Sequence, residues 1–192
     1  TIREDLKEGN QQKGYEITGF DSDKKVLLVM GGSLGSKKLN DIIRENLEAL
    51  LHDYQIIHLT GHGLVDESYK QKGYIQYEFV KEELTHLLSI TDTVVSRAGS
   101  NAIYEFLTLR IPMLLIPLGL DQSRGDQIDN AKYFESKGYG KMIPEDQLTQ
   151  FKLLEQLKQI ESHRTDITHQ MESYKESYTK EDLFNKILND AL

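Results

Sequence analysis

The sequence predicts a Rossmann-like α/β domain, a mostly parallel sheet with helices on both faces. Three observations point there. Short apolar runs alternate with segments whose apolar residues recur at helical spacing. Several of the runs end in glycine-bearing turns that lead straight into a helical pattern. The 192 residues, 38% hydrophobic and 28% charged, suffice for one sizeable core.

Residues 25–30 (KVLLVM) are almost continuously apolar and run into Gly31-Gly32, as expected of a buried central strand. Over 37–51 the residues Leu39, Ile42, Ile43, Leu47 and Leu50 share a helical face. A second strand covers 55–60 (QIIHLT) and stops at Gly61-His62-Gly63; a third alternates over 74–79 (YIQYEF). Leu84, Leu87 and Leu88 then mark a helix within 81–90. Residues 93–96 (TVVS) make the fourth strand, Arg97-Ala98-Gly99 a turn, and 100–108 a helix. Prolines bracket the fifth strand, 112–117 (PMLLIP), a placement that suits strand ends. After a long polar loop come a helix over 127–137, breaks at Gly138 and Gly140, and a short last strand over 141–143. Helices close the chain: 147–161 with Leu148, Phe151, Leu154 and Leu157 on one face, 165–177, and a final one opened by Thr179 and Asp182 at capping-box spacing.

Residues 1–23 differ from the rest. They are polar and punctuated by Gly9, Gly14 and Gly19, which reads as a linker from a preceding domain, leaving 24–192 as the ligand-binding domain. The opening at Thr1, without an initiator Met or signal-peptide pattern, suggests a processed product or a fragment.

Composition excludes several classes. A formal charge of −8, from 23 Lys plus Arg against 31 Asp plus Glu, argues against a nucleic-acid partner. The absence of cysteine removes disulfide scaffolds, thiolate zinc sites and cysteine nucleophiles together. No apolar run approaches the roughly 20 residues a membrane-crossing helix requires. The six histidines are scattered and form no HExxH, and there is no GxSxG elbow, so neither a metal site nor a serine triad is expected.

In an open parallel sheet, ligands bind where strands end and helices begin, so the loops there carry the functional signal. Gly31-Gly32-Ser33-Leu34-Gly35-Ser36 lets backbone approach an anion, with Ser33 as a hydroxyl donor. It fits neither the Walker A frame nor GxGxxG, and the second strand ends without the carboxylate that would hold an NAD ribose. Gly99 and Ser100 open a helix whose N–H groups could meet an anion, with Glu105 about one and a half turns further in, placed to accept from paired ribose hydroxyls. Asp121, Gln122, Asp126, Gln127 and Asn130 form a polar cluster suited to sugar hydroxyls, since each amide both donates and accepts. The residues alone describe a binder of a nucleotide sugar or similar diphosphate; a tight turn, a solvated helix glutamate and a polar surface loop remain the plain alternatives for the three features.

In order and at these strand ends, the loops closely resemble the MurG family of peptidoglycan glycosyltransferases, specifically its C-terminal half. Gly31 through Ser36 with Leu39-Asn40 is similar to GGSxGAxxLN, His58 through Gly61 to HxxG, Ser96 through Glu105 to SRAGAxTxxE, and Asp126-Gln127 through Asn130-Ala131 to DxQxxNA. Departures occur at Ser36, Ser100 and Asn101-Ala102, and a longer stretch separates Asp121 from Gln127. The resemblance implies the second domain of a two-domain GT-B enzyme, inverting and independent of metal or other cofactor, that moves N-acetylglucosamine from UDP-GlcNAc to lipid I on the cytoplasmic face of the bacterial plasma membrane. It implies further that Gly31, Gly32, Ser33 and Gly99 meet the donor diphosphate, Glu105 the ribose, Asp126 and Gln127 the sugar, backbone groups at Val80 the uracil edge, and Arg3 the donor from the linker. The catalytic base, the lipid I contacts and the peripheral membrane attachment would belong to the other domain, and this chain alone would bind donor weakly without turnover. The final helix would pack across the cleft against that domain and fray without it. Alternatives are the donor domain of another GT-B UDP-sugar transferase, such as a galactolipid synthase or a macrolide glycosyltransferase, and a non-catalytic flavodoxin-like or receiver-like anion-binding module.

Overall fold

The computed structural model describes residues 5–32 and 35–174. Arg3, Ser33 and the helix expected from Thr179 lie outside them.

Six parallel strands form one sheet: β1 (Val26–Met30), β2 (Gln55–Leu59), β3 (Tyr74–Tyr77), β4 (Thr93–Ser96), β5 (Met113–Leu115) and β6 (Gly140–Met142). Their order is β3-β2-β1-β4-β5-β6. The chain therefore fills one half of the sheet outward from β1 and then the other outward from β4, which leaves a crevice where the winding reverses. Helices α1 (Gln11–Thr18), α2 (Lys37–Glu45), α3 (Leu47–Asp53), α4 (Leu84–Ser89), α5 (Ser100–Thr108), α6 (Asp126–Ser136), α7 (Gln150–Ser162) and α8 (Arg164–Glu172) cover it. This is the α/β architecture expected from the sequence. Val26 through Val29 are fully buried because helices close both faces of the central strand, and the core continues through Ile56, Ile57, Val94, Val95, Met113 and Leu114.

Three departures have local causes. The single helix expected over 37–51 is two, broken at Asn46, whose side-chain amide donates to the carbonyl of Ile42 at 2.7 Å and competes with the helical ladder. In α7 the buried stripe is Leu153, Leu157 and Ile160; Phe151 stands exposed in its first turn, off that face. Within the segment read as a linker, a 3-10 turn at Leu6–Glu8 and helix α1 lie against α4. Gly9 and Gly14 permit that approach, since a Cβ on Gly14 would come within 2.5 Å of the carbonyl of His86. The sequence does not show this helix because it docks through two glycines and not through an apolar stripe.

Among the described residues, no helix is long and apolar enough to cross a membrane.

Candidate functional site

A cleft of about 720 Å³ opens at the carboxyl ends of the strands, around the crevice between β1 and β4. The backbone turn after β1 forms one wall. A Cβ on Gly31 would approach the amide nitrogen of Ser36 to 2.9 Å, Gly32 has φ +89°, and Gly35, at φ +73°, lies so close to β2 that a Cβ would meet the carbonyl of Thr60. Only glycine lets this loop fold so tightly. Ser36 caps α2, its hydroxyl accepting from the amide of Leu39 at 3.2 Å. On the opposite wall, α5 starts at Gly99 without a side-chain cap. A Cβ added at Gly99 would meet nothing within 4 Å, so the backbone at the start of α5 lies open to the cleft.

Arg97 joins the walls from below. Its guanidinium donates to the hydroxyl of Ser36, to the carbonyl of Ile116 at 3.1 Å and to the carboxylate of Glu145 at 2.8 Å, linking the exits of β1, β4, β5 and β6. The next residue, Ala98, is fully buried at φ +64°, a conformation disfavoured for any residue with a Cβ. Asn130 of α6 donates to its carbonyl at 3.2 Å and holds the turn. One turn earlier on α6, the Gln127 side-chain oxygen accepts from the amide of Leu118 at 3.0 Å, fixing the loop after β5 as the third wall.

Beneath the glycine turn lies a second polar cluster. His58, fully buried, bonds Asn40 through Nε2 at 2.8 Å and Tyr74 through Nδ1 at 2.7 Å. Asn40 uses its amide to donate to the carbonyl of Thr60 at 2.9 Å, so its oxygen is the acceptor and His58 carries its proton on Nε2. Burial, and secondarily the charge of Arg44, push the His58 pKa down to about 3, which keeps the ring neutral. The histidine and asparagine of the two sequence motifs therefore tie α2 to β2; neither lines the cleft.

Of the residues singled out by sequence, Gly31, Gly32, Gly99 and Gln127 converge on the cleft with Asp121 and Gln122. Glu105 is buried in the second turn of α5 and is not among the lining residues. Asp126 is exposed at the start of α6, and Val80 is half-buried beyond β3; neither lines the cleft. Lys38, Arg97, Glu145 and Asp146 line it, although sequence reasoning gave none of them a role there. The one available signal for Glu145 and Asp146 was their position just past the last strand, on the edge that carries every other lining loop. Among the described residues, no three His, Asp or Glu side chains cluster in a way that could hold a cation. A second hollow, of about 550 Å³, lies at the opposite edge beside the carboxyl end of α3, where the helix dipole disfavours an anion.

The arrangement can hold an elongated anion with hydroxyls attached: backbone N–H groups from two helix starts for the charge, and amide side chains for the hydroxyls. The family whose model matches residues 26–187 is described as the Glycosyltransferase family 28 C-terminal domain. A Staphylococcus haemolyticus protein named UDP-N-acetylglucosamine--N-acetylmuramyl-(pentapeptide) pyrophosphoryl-undecaprenol N-acetylglucosamine transferase is 83% identical over all 192 residues. Its counterpart from Staphylococcus aureus strain JH9 is 71% identical. The chain spans about half the length of these relatives, 54% of each. Among solved structures, MurG of Acinetobacter baumannii superposes with a TM-score of 0.65 at 24% identity, covering 82% of this chain and 47% of that one. Os79 from O. sativa, solved with UDP, gives 0.63 at 16% identity over 88% of this chain and 41% of its own. These last two likenesses concern the fold: the C-terminal domain of a GT-B glycosyltransferase.

Proposed function

The chain belongs to the glycosyltransferase family 28 C-terminal domain family, and from that premise we propose that it is the donor-binding half of an inverting N-acetylglucosaminyltransferase. The donor is UDP-GlcNAc and the acceptor lipid I, the undecaprenyl-pyrophosphoryl-MurNAc-pentapeptide of the relatives' names. What carries this reading is the meeting of two helix starts, α2 and α5, over a glycine turn at the sheet's reversal point. Backbone N–H groups and helix dipoles there would hold the donor diphosphate and stabilise the departing UDP as negative charge develops on it. Gln127 would address the sugar, Glu105 the ribose hydroxyls, and the segment at Val80 the uracil edge; Ser33 and Arg3 would add donor contacts from outside the described residues. The acceptor, its activating base and peripheral attachment to the cytoplasmic face of the plasma membrane are assigned to the part of the protein beyond this chain, in line with the 54% span.

Calorimetry in chelator-treated buffer tests the reading. Saturable binding of UDP and UDP-GlcNAc, weaker binding of UDP-galactose and none of NAD are expected. A chain that binds no uridine nucleotide would overturn it. Glu105→Ala should weaken UDP binding about tenfold, through loss of hydrogen bonds to a charged acceptor. The chain alone should give no transfer to a lipid I analogue, and turnover without the missing half would refute the division of labour.

A further inference from the structure

The cleft proposed to bind a diphosphate carries no net charge among its described lining residues: Lys37, Lys38 and Arg97 are matched by Asp121, Glu145 and Asp146. Each of the three cations is also engaged by a neighbour. Lys37 is engaged by Asp41 at 2.5 Å, and Lys38 donates to the backbone carbonyl of Glu145 at 2.6 Å. Arg97 and Glu145 form a 2.8 Å ion pair on the cleft floor, with side chains 7% and 11% exposed. A buried pair of this kind adds little to stability compared with well-packed apolar residues, because desolvation offsets most of the attraction. A charge beside a partly desolvated anion site, by contrast, acts strongly on whatever anion enters.

On this donor-site reading, an uncompensated Arg97 would add a full positive charge to the pull of two helix starts. The floor would then hold any small anion, orthophosphate included, and would retain the UDP product. We propose that Glu145 is a specificity-determining residue: its carboxylate positions and neutralises Arg97, so that the cleft selects a nucleoside diphosphate through directed N–H groups and releases it again. Arg97 in turn fixes the hydroxyl of Ser36, and through it the first turn of α2, without lending its charge to the ligand.

The test is Glu145→Gln, which keeps a hydrogen-bond acceptor for Arg97 and removes the compensating charge. UDP should bind about five- to tenfold more tightly at low ionic strength. The affinity should fall more steeply with salt than in the wild type, and the variant should gain measurable binding of inorganic phosphate. Unchanged or weaker UDP binding by a variant with wild-type circular dichroism and unfolding would overturn the proposal, since a merely structural tie can only loosen the site when altered. Adding Arg97→Gln should abolish the gain and the steeper salt response. If Glu145→Gln does not fold, the double variant carries the test through its salt response, which loosening of the site does not change: a dependence of UDP affinity on salt equal to the wild type supports charge cancellation, and a shallower one means that Arg97 lends its own charge to the ligand. A wild-type chain that binds no uridine nucleotide sinks the donor reading and this inference together; failure of the variants alone sinks only the inference.

Discussion

Ala98 shows how one residue can serve a site it does not touch with its side chain. The turn from β4 into α5 takes φ +64° there, the residue is fully buried, and Asn130 holds its carbonyl. Ala98→Val should cost about 2 kcal/mol or more in chemical denaturation, because a β-branched side chain resists this backbone region most. His58 makes a prediction of a different kind. Its folded pKa lies near 3, below the ordinary value of 6.5, so above pH 6.5 the ring is neutral in both states and contributes no pH dependence. Between these values only the unfolded chain takes up the proton, and stability falls as pH drops through the window, by up to about 1.4 kcal/mol per unit. Urea titrations at pH 7, 5.5 and 4.5 should show the wild-type advantage over His58→Gln shrinking with acidity. A constant advantage would mean that His58 protonates in the native fold.

At the scale of elements, helix starts divide into those that build the cleft and those that only build the fold. Ser36 caps α2 and Thr149 caps α7 by the same bond, hydroxyl to the amide three residues on, at 3.2 Å in each. Alanine at either position should cost about 1 kcal/mol of stability. Only Ser36→Ala should also weaken UDP binding, because of these two helices α2 alone opens onto the cleft; a matching loss in Thr149→Ala would show that the binding defect follows from stability alone. Helix α1 belongs to the second class and docks through glycines. Gly14→Ala places a methyl within 2.5 Å of the His86 carbonyl, so amide exchange over 11–18 should accelerate while the sheet stays protected.

At the scale of the whole molecule, the sheet order decides what can meet. Gly31, Gly99, Gln127 and Glu145 are spread over more than a hundred positions of sequence, yet they share one cleft because β1 and β4 are neighbours and their loops exit on the same edge. The strands, most of the helices and the glycine turns were legible in sequence, since burial on both faces leaves continuous apolar runs and tight turns leave glycine. The break at Asn46 and the docking of α1 were not: the first depends on a side chain competing for one carbonyl, the second on the surface of α4. Period and composition thus settled which segments are strand or helix and which loops could greet an anion, because these properties are local to a few residues. Whether a given histidine, arginine or glutamate faces that anion, props up a neighbour or cancels a charge was decided only by the tertiary structure. His58 turned inward to Asn40, and Arg97 found Glu145 across 48 residues, because hydrogen bonding and electrostatics act through space and not along the chain.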